Sequence, residues 1–166
     1  MRPAGDEYYL GIAKAVSEAS TCVWTKRGAV IVSKDGELIS TGYTHDINDI
    51  INCRRDKFCS WQKTNGTLPI VGLQGQCDVL QAEVFAFFSA DKTKLRDSTL
   101  YIYEYDCVHN HTRTTIPDPV TSKIAQHLGV KRICCADGEE YDILDEYRDT
   151  EEDVKDLVKG LLREDE

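Results

Sequence analysis

Apolar positions near the start of the chain recur at helical spacing. Tyr9, Ile12, Ala13, Val16 and Ala19 fall on one face of a helix expected from Asp6 to near Thr21. The period then changes. Ala29-Val30-Ile31-Val32 is a short apolar run, Lys34-Asp35-Gly36 is turn-forming, and Glu37 to Tyr43 reads as a second strand, so the pair predicts a hairpin. From Val79 to Asp91, Leu80, Val84, Phe87 and Phe88 predict a second helix buried on one face, and Ser98 to Tyr103 follows as a central strand. Pro117-Asp118-Pro119 sets up a third helix carrying Val120, Ile124 and Leu128, which Gly129 closes. Val130 to Ala136 is a short buried strand, and Val154, Leu157, Val158, Leu161 and Leu162 make a last helix amphipathic, with Thr150 as its N-cap.

Between these elements lie two polar stretches. Residues 44–77 hold three cysteines, Pro69 and several glycines without usable periodicity, and residues 104–117 form a polar loop with Cys107, His109 and His111. A segment as long as 44–77 needs something to hold it. The order helix, hairpin, helix, strand, helix, strand, helix predicts an α/β fold, with parallel pairing after the hairpin because the crossovers there are helical.

Composition narrows the function. The chain has 166 residues, the size of a single domain spanning 1–166, with residues 139–166 an acidic, helical C-terminal tail. Its 20 Lys plus Arg against 29 Asp plus Glu give a formal charge of −9, a field that repels polyanions, so a small-molecule partner is expected and nucleic acid is not. MRPAGDEYYLG has no leader pattern and no stretch of 18 apolar residues occurs, so a cytoplasmic protein without membrane partners is expected. Seven cysteines are an odd count without a secretion signal, so reduced thiols and metal ligation outrank a disulfide framework.

Two stretches carry a resemblance. Ser20-Thr21-Cys22, Gly28-Ala29-Val30-Ile31-Val32 and Gly42-Tyr43 resemble the opening of deoxycytidylate deaminases, with Thr44 where that family has an asparagine that helps hold the substrate sugar. Gln81-Ala82-Glu83 stands where zinc deaminases have His-x-Glu, and Pro117-Asp118-Pro119-Val120-Thr121 aligns without a gap with their Pro-Cys-x-x-Cys. The resemblance implies a three-layer α/β/α cytidine-deaminase-like domain with a mixed central sheet, covering residues 6 to about 136. It also implies that the glutamate survives as Glu83, while Gln81, Asp118 and Thr121 replace the three zinc ligands.

That replacement has a chemical consequence. The zinc of such enzymes lowers the pKa of its bound water, and the glutamate shuttles protons between that hydroxide and the ring. Gln81, Asp118 and Thr121 offer only oxygen or amide ligands, poor company for zinc beside imidazole and thiolate. No catalytic zinc is therefore expected. The family often carries a second, structural zinc, and Cys22, Cys53, Cys59 and Cys77 stand at its places; four thiolates would staple the 44–77 segment down. Cys134 and Cys135 read as small buried hydrophobes. Lys26, Arg27, Arg54, Arg55 and Lys57 are candidates to gather near a phosphate, against the ordinary reading of solvated surface cations.

The leading expectation is a degenerate deaminase that binds a nucleotide-like small molecule or serves as an inactive partner subunit, in a homo-oligomer or hetero-oligomer. The alternative is a repurposed enzyme of the same fold. It would use Glu83 with Asp118, or with a relocated metal at Cys107, His109 and His111. The bland reading of that last trio is a polar surface insertion.

Overall fold

Helix α1 spans Asp6–Ser17, with Asp6 and Glu7 in its first turn and Lys14 in its last, a distribution that complements the helix dipole. A computed structural model describes residues 5–46, 52–57, 59, 79–113, 119–136 and 140–142. The expected C-terminal helix, Cys77 and Asp118 lie outside the described residues. The first helix stops earlier than its apolar spacing suggests. Ser17 Oγ turns back to the Lys14 carbonyl at 2.7 Å, and Ala19 and Ser20 donate their N–H groups to Val16 and Ser17 in tightened turns. Serine competing for backbone carbonyls ends the helix before the apolar pattern does.

Strand β1 (Thr25–Val32) pairs antiparallel with β2 (Leu38–Tyr43) as the expected hairpin. Both β1 and β5 (Thr99–Asp106) outrun the apolar stretches that announced them, because they pair with each other antiparallel over their whole length, from Thr25 opposite Asp106 to Val32 opposite Thr99. The expected 104–117 loop thus begins inside a strand. Two-residue strand β3 (His45–Asp46) and helix α2 (Cys53–Asp56) fall in the segment that gave no periodic signal. Val79–Leu80 is not the start of a helix but strand β4, paired with β3, so α3 runs only Ala82–Ser89.

Strand β6 (His111–Thr112) folds back on β5, helix α4 covers Pro119–His127, and β7 (Arg132–Cys135) pairs parallel with β5 across that helical crossover. Strand β8 (Glu140–Asp142), which the sequence did not announce, adds antiparallel to β7. The sheet order is β2-β1-β5-β7-β8 with β6 beside β5, a mixed sheet.

Helices lie on both faces of the sheet. Val30, Val32, Tyr101, Tyr103 and Cys134 pack with Ala13 of α1 on one side. Ala29, Ile31, Leu100, Ile102, Ile133 and Cys135 pack with Ala82, Ala86 and Phe87 of α3 and Ala125 of α4 on the other. Two glycines set how closely the layers meet. A Cβ on Gly28 would fall 2.2 Å from the Ala13 carbonyl oxygen, and one on Gly42 would fall 2.1 Å from that of Ala82. Gly42 therefore brings the first turn of α3, and Glu83 with it, against the end of β2.

Candidate functional site

Alternation along β1 places Arg27 on the same face as Ala29 and Ile31, the face that α3 covers. Its cross-strand partner on β5 is Glu104, and the first turn of α3 supplies Glu83. These three side chains meet where the apolar core of that face ends. Arg27 Nε donates to Glu83 Oε2 at 3.0 Å, Nη2 donates to Glu83 Oε1, and Nη1 donates to Glu104 Oε2 at 2.8 Å. The guanidinium grips Glu83 side-on through Nε and Nη2, a bidentate geometry that is stronger and more directional than a point-charge contact.

The group is dry. Glu83 is 0% exposed, Arg27 7% and Glu104 8%. Burial acts to lower the Arg27 pKa, but the carboxylates of Glu83 and Glu104 outweigh it and hold the guanidinium protonated even more firmly than usual. The charges continue outward. Arg113 approaches Glu104 Oε1 and Asp106 Oδ2, each at 3.8 Å, and Asp106 accepts the N–H groups of Val108 and His109 at 2.8 and 2.9 Å. His109 Nδ1 lies 3.0 Å from Asp106 Oδ2. Burial alone would raise the Asp106 pKa, yet the bonds from the His109 ring and the two amides hold its carboxyl at about 2.

Two of the three replaced ligand positions lie among the described residues. Gln81 is the N-cap of α3 but makes no side-chain cap bond, and its Oε1 is buried without a hydrogen-bond partner. Thr121 is buried in α4 at 1% exposure, while Asp118 lies outside the described residues. Thr44 is buried with its Oγ1 unpartnered; its N–H donates to the Arg27 carbonyl at 3.1 Å, which fixes it next to β1. His45 stacks on Phe85 of α3 with ring centroids 3.6 Å apart and on Tyr43 at 4.5 Å.

Four of the five cations considered for a phosphate already have partners in the protein, and Lys26 and Arg54 meet on Glu18. Arg27 is buried in its ion pair, Arg54 Nη1 donates to the Glu18 and Ser20 carbonyls at 3.1 and 3.3 Å, Arg55 pairs with exposed Asp56 at 2.8 Å, and Lys26 pairs with Glu18 at 2.6 Å. A shallow groove of about 440 Å³, lined by residues that include Arg96, His127 and Lys131, opens beside the turns that lead into β5 and β7 and holds none of the expected site residues.

Of the four cysteines expected to hold structural zinc, Cys53 and Cys59 are buried and Cys22 is half-buried. The Arg54 N–H donates to the Thr21 carbonyl at 3.0 Å, which brings the helix that opens at Cys53 to the loop holding Cys22. Among the described residues no group of three or more His, Cys, Asp or Glu is placed to hold a metal, which is equally true of Cys107, His109 and His111; Cys77 is outside them. Cys134 and Cys135 are core residues of β7.

A mixed sheet between helices, with a glutamate on the first turn of the helix that packs on the hairpin, defines the cytidine-deaminase-like α/β fold. No protein-family model matches the chain. The deoxycytidylate deaminase of Mycobacterium phage D29 is 34% identical to it over 110 residues, 64% of this chain and 82% of that relative. The dCMP deaminase of cyanophage S-TIM5, solved in complex with dCMP and dUMP, superposes with a TM-score of 0.55 at 25% identity over 81% of this chain and 82% of that one. Its apo form gives 0.51 at 23% identity, covering 81% and 84%. The chain belongs to the deoxycytidylate deaminase family.

The zinc on which deaminases of this fold depend does not fit this site. Gln81 and Thr121 present a neutral amide and a hydroxyl where zinc takes imidazole and thiolate, and a buried guanidinium already holds both oxygens of Glu83. The role of Glu104 was the part that sequence reasoning missed. The available signal was a lone Arg27 two residues before Ala29 in the apolar alternation, a position that only an inward carboxylate makes tolerable.

Proposed function

We propose that this chain is a member of the deoxycytidylate deaminase family that has given up zinc-dependent deamination and acts as a binder of a nucleotide-like small molecule or as an inactive subunit of an oligomer. The observation that carries this reading is the bidentate, fully buried pairing of Glu83 with Arg27. A proton shuttle must exchange protons with a bound water and with the substrate ring. A carboxylate whose two oxygens are both held by a guanidinium is poorly placed for that exchange. The oxygen and amide groups at Gln81, Asp118 and Thr121 support the same conclusion from the metal side.

The unpartnered Gln81 Oε1 and Thr44 Oγ1 support retention of a polar pocket beside α3, since buried polar atoms ordinarily find partners. The same pairing weighs against the rival reading, in which Glu83 acts as general base with Asp118. The purified chain, supplied with zinc and with cytidine, deoxycytidine or deoxycytidylate, is expected to release no ammonia and to leave the ultraviolet absorbance unchanged. Turnover that disappears in Glu83→Gln would overturn the reading. Gln81→His alone is expected to restore nothing, because one imidazole does not make a three-ligand site.

A structural zinc on Cys22, Cys53, Cys59 and Cys77 is part of the same proposal. The burial of Cys53 and Cys59, and the α2 contact to the Thr21 loop, support it. Metal analysis of the purified chain should give one zinc equivalent, lost in Cys53→Ser and kept in Cys134→Ser. Equal zinc in both variants would remove these cysteines from the account.

A further inference from the structure

A two-carboxylate site normally needs a cation between its members. Glu83 and Glu104 approach one another from different layers, α3 and β5, and the group between them is a side chain of the protein itself. We propose that Arg27 is the resident cation of this site: its guanidinium fills the space between Glu83 and Glu104 and bars a metal ion from Glu83. The inference rests on the reading of Glu83 as a paired rather than a proton-transferring carboxylate. It goes further by giving the site a chemical class, a planar cation pocket that takes a guanidinium.

Three observations support the assignment. The first is geometry: three separate guanidinium nitrogens are used, Nε and Nη2 on Glu83 and Nη1 on Glu104, a pattern that matches the planar fork and that an ammonium cannot reproduce. The second is burial. With Glu83 at 0% exposure, water cannot take over the role of counter-charge if the arginine leaves. The third is the surrounding backbone. Arg27 sits in the middle of paired strands, its carbonyl accepting from the Thr44 N–H at 3.1 Å, so the cation is delivered by the sheet rather than by a mobile loop. A divalent ion approaching Glu83 would face this fixed positive charge at contact distance.

The experiment is chemical rescue. Arg27→Ala removes the guanidinium and leaves its space. Its melting temperature is expected to fall by about 10 °C or more, as for the loss of one partner of a buried ion pair. Methylguanidinium at millimolar concentration should return a substantial part of that loss, whereas the same concentration of tetramethylammonium should not. The rescue should vanish in Arg27→Ala/Glu83→Gln, where one of the two carboxylates is gone. Recovery that is equal with both cations, or that persists in the double variant, overturns the proposal.

Should Arg27→Ala fail to fold, Arg27→Ala/Glu83→Gln still decides, because removing the orphaned carboxylate should restore a cooperative melt. A double variant that also stays unfolded overturns the proposal. Mn²⁺ titration of the wild-type chain, read by electron paramagnetic resonance, should detect no ion that depends on Glu83; uptake lost in Glu83→Gln overturns the exclusion of metal. Ammonia release by the wild type would sink the functional reading and leave the rescue result standing, while absence of rescue would sink this proposal and leave the silent assay standing.

Discussion

Each face of the sheet carries an arginine bound to carboxylates, and the two differ in almost everything except chemistry. Under α1, Arg132 binds both oxygens of Asp6, with Nη1 to Oδ2 at 3.2 Å, and Tyr101 donates its hydroxyl to Asp6 at 2.7 Å. The side chains of that pair are 31% and 37% exposed. Under α3, Arg27 binds Glu83 and Glu104 with side-chain exposures of 8%, 0% and 11%. The outer pair pins the first turn of α1 to the start of β7 while keeping water nearby. The inner one has surrendered its hydration entirely, and a buried pair of this kind is rarely a net gain over apolar side chains of the same volume. The comparison separates a half-exposed fastening between helix and sheet from a charge cluster shut away from water.

Breaking the inner pair should cost most. Glu83→Ala leaves the Arg27 guanidinium with one of its two buried partners and should destabilise the chain by about 3–5 kcal/mol in denaturant unfolding. A loss below about 1 kcal/mol would mean that the pair is solvated in solution. Gly42→Ala attacks the same site through its scaffold. Its new Cβ meets the Ala82 carbonyl at 2.1 Å, so α3 must move away from β2, at about 1–3 kcal/mol.

The outer pair should matter least. Asp6→Asn should cost no more than about 1 kcal/mol at neutral pH, the range of exposed pairs. Its signature is pH dependence. Burial acts to raise the Asp6 pKa, but bonds from Arg132 and Tyr101 and the Arg132 charge hold it below the ordinary 3.8. A lowered carboxylate pKa contributes stability above the unfolded value of 3.8 that is lost as the pH falls through the lower, folded value. Below pH 4, then, the wild type should lose stability with a component that Asp6→Asn lacks; parallel acid melts would show that Asp6 is not held down.

Most of the scaffold was legible because it is written in apolar periodicity. The hairpin and the buried strand at Ile133 follow from it; the inward face of α3 does not, since of the expected Leu80, Val84, Phe87 and Phe88 only Phe87 is buried, Phe88 is 68% exposed, and Ala82, Glu83 and Ala86 turn inward instead. What periodicity could not supply was where backbone hydrogen bonds compete. Ser17 ends α1 before the apolar pattern runs out, and Val79–Leu80 is drawn into a strand by His45–Asp46, which shortens α3 at its start. The residue types at Gln81 and Thr121, an amide and a hydroxyl, were legible directly. The Arg27 pairing was not, since a charged residue in a polar stretch reads as solvated until the register of β1 against β5 places Glu104 opposite it.

The account turns on the claim that Glu83 is committed to Arg27, and a double-mutant cycle on Arg27→Met and Glu83→Gln, read by denaturant unfolding, tests it most directly. Contacting residues in one buried network couple by up to about 3 kcal/mol, and the account predicts a value at the upper end of that range, with the double variant far more stable than the two single losses would add up to. Additive losses would contradict it and would return Glu83 to the list of carboxylates free to do chemistry.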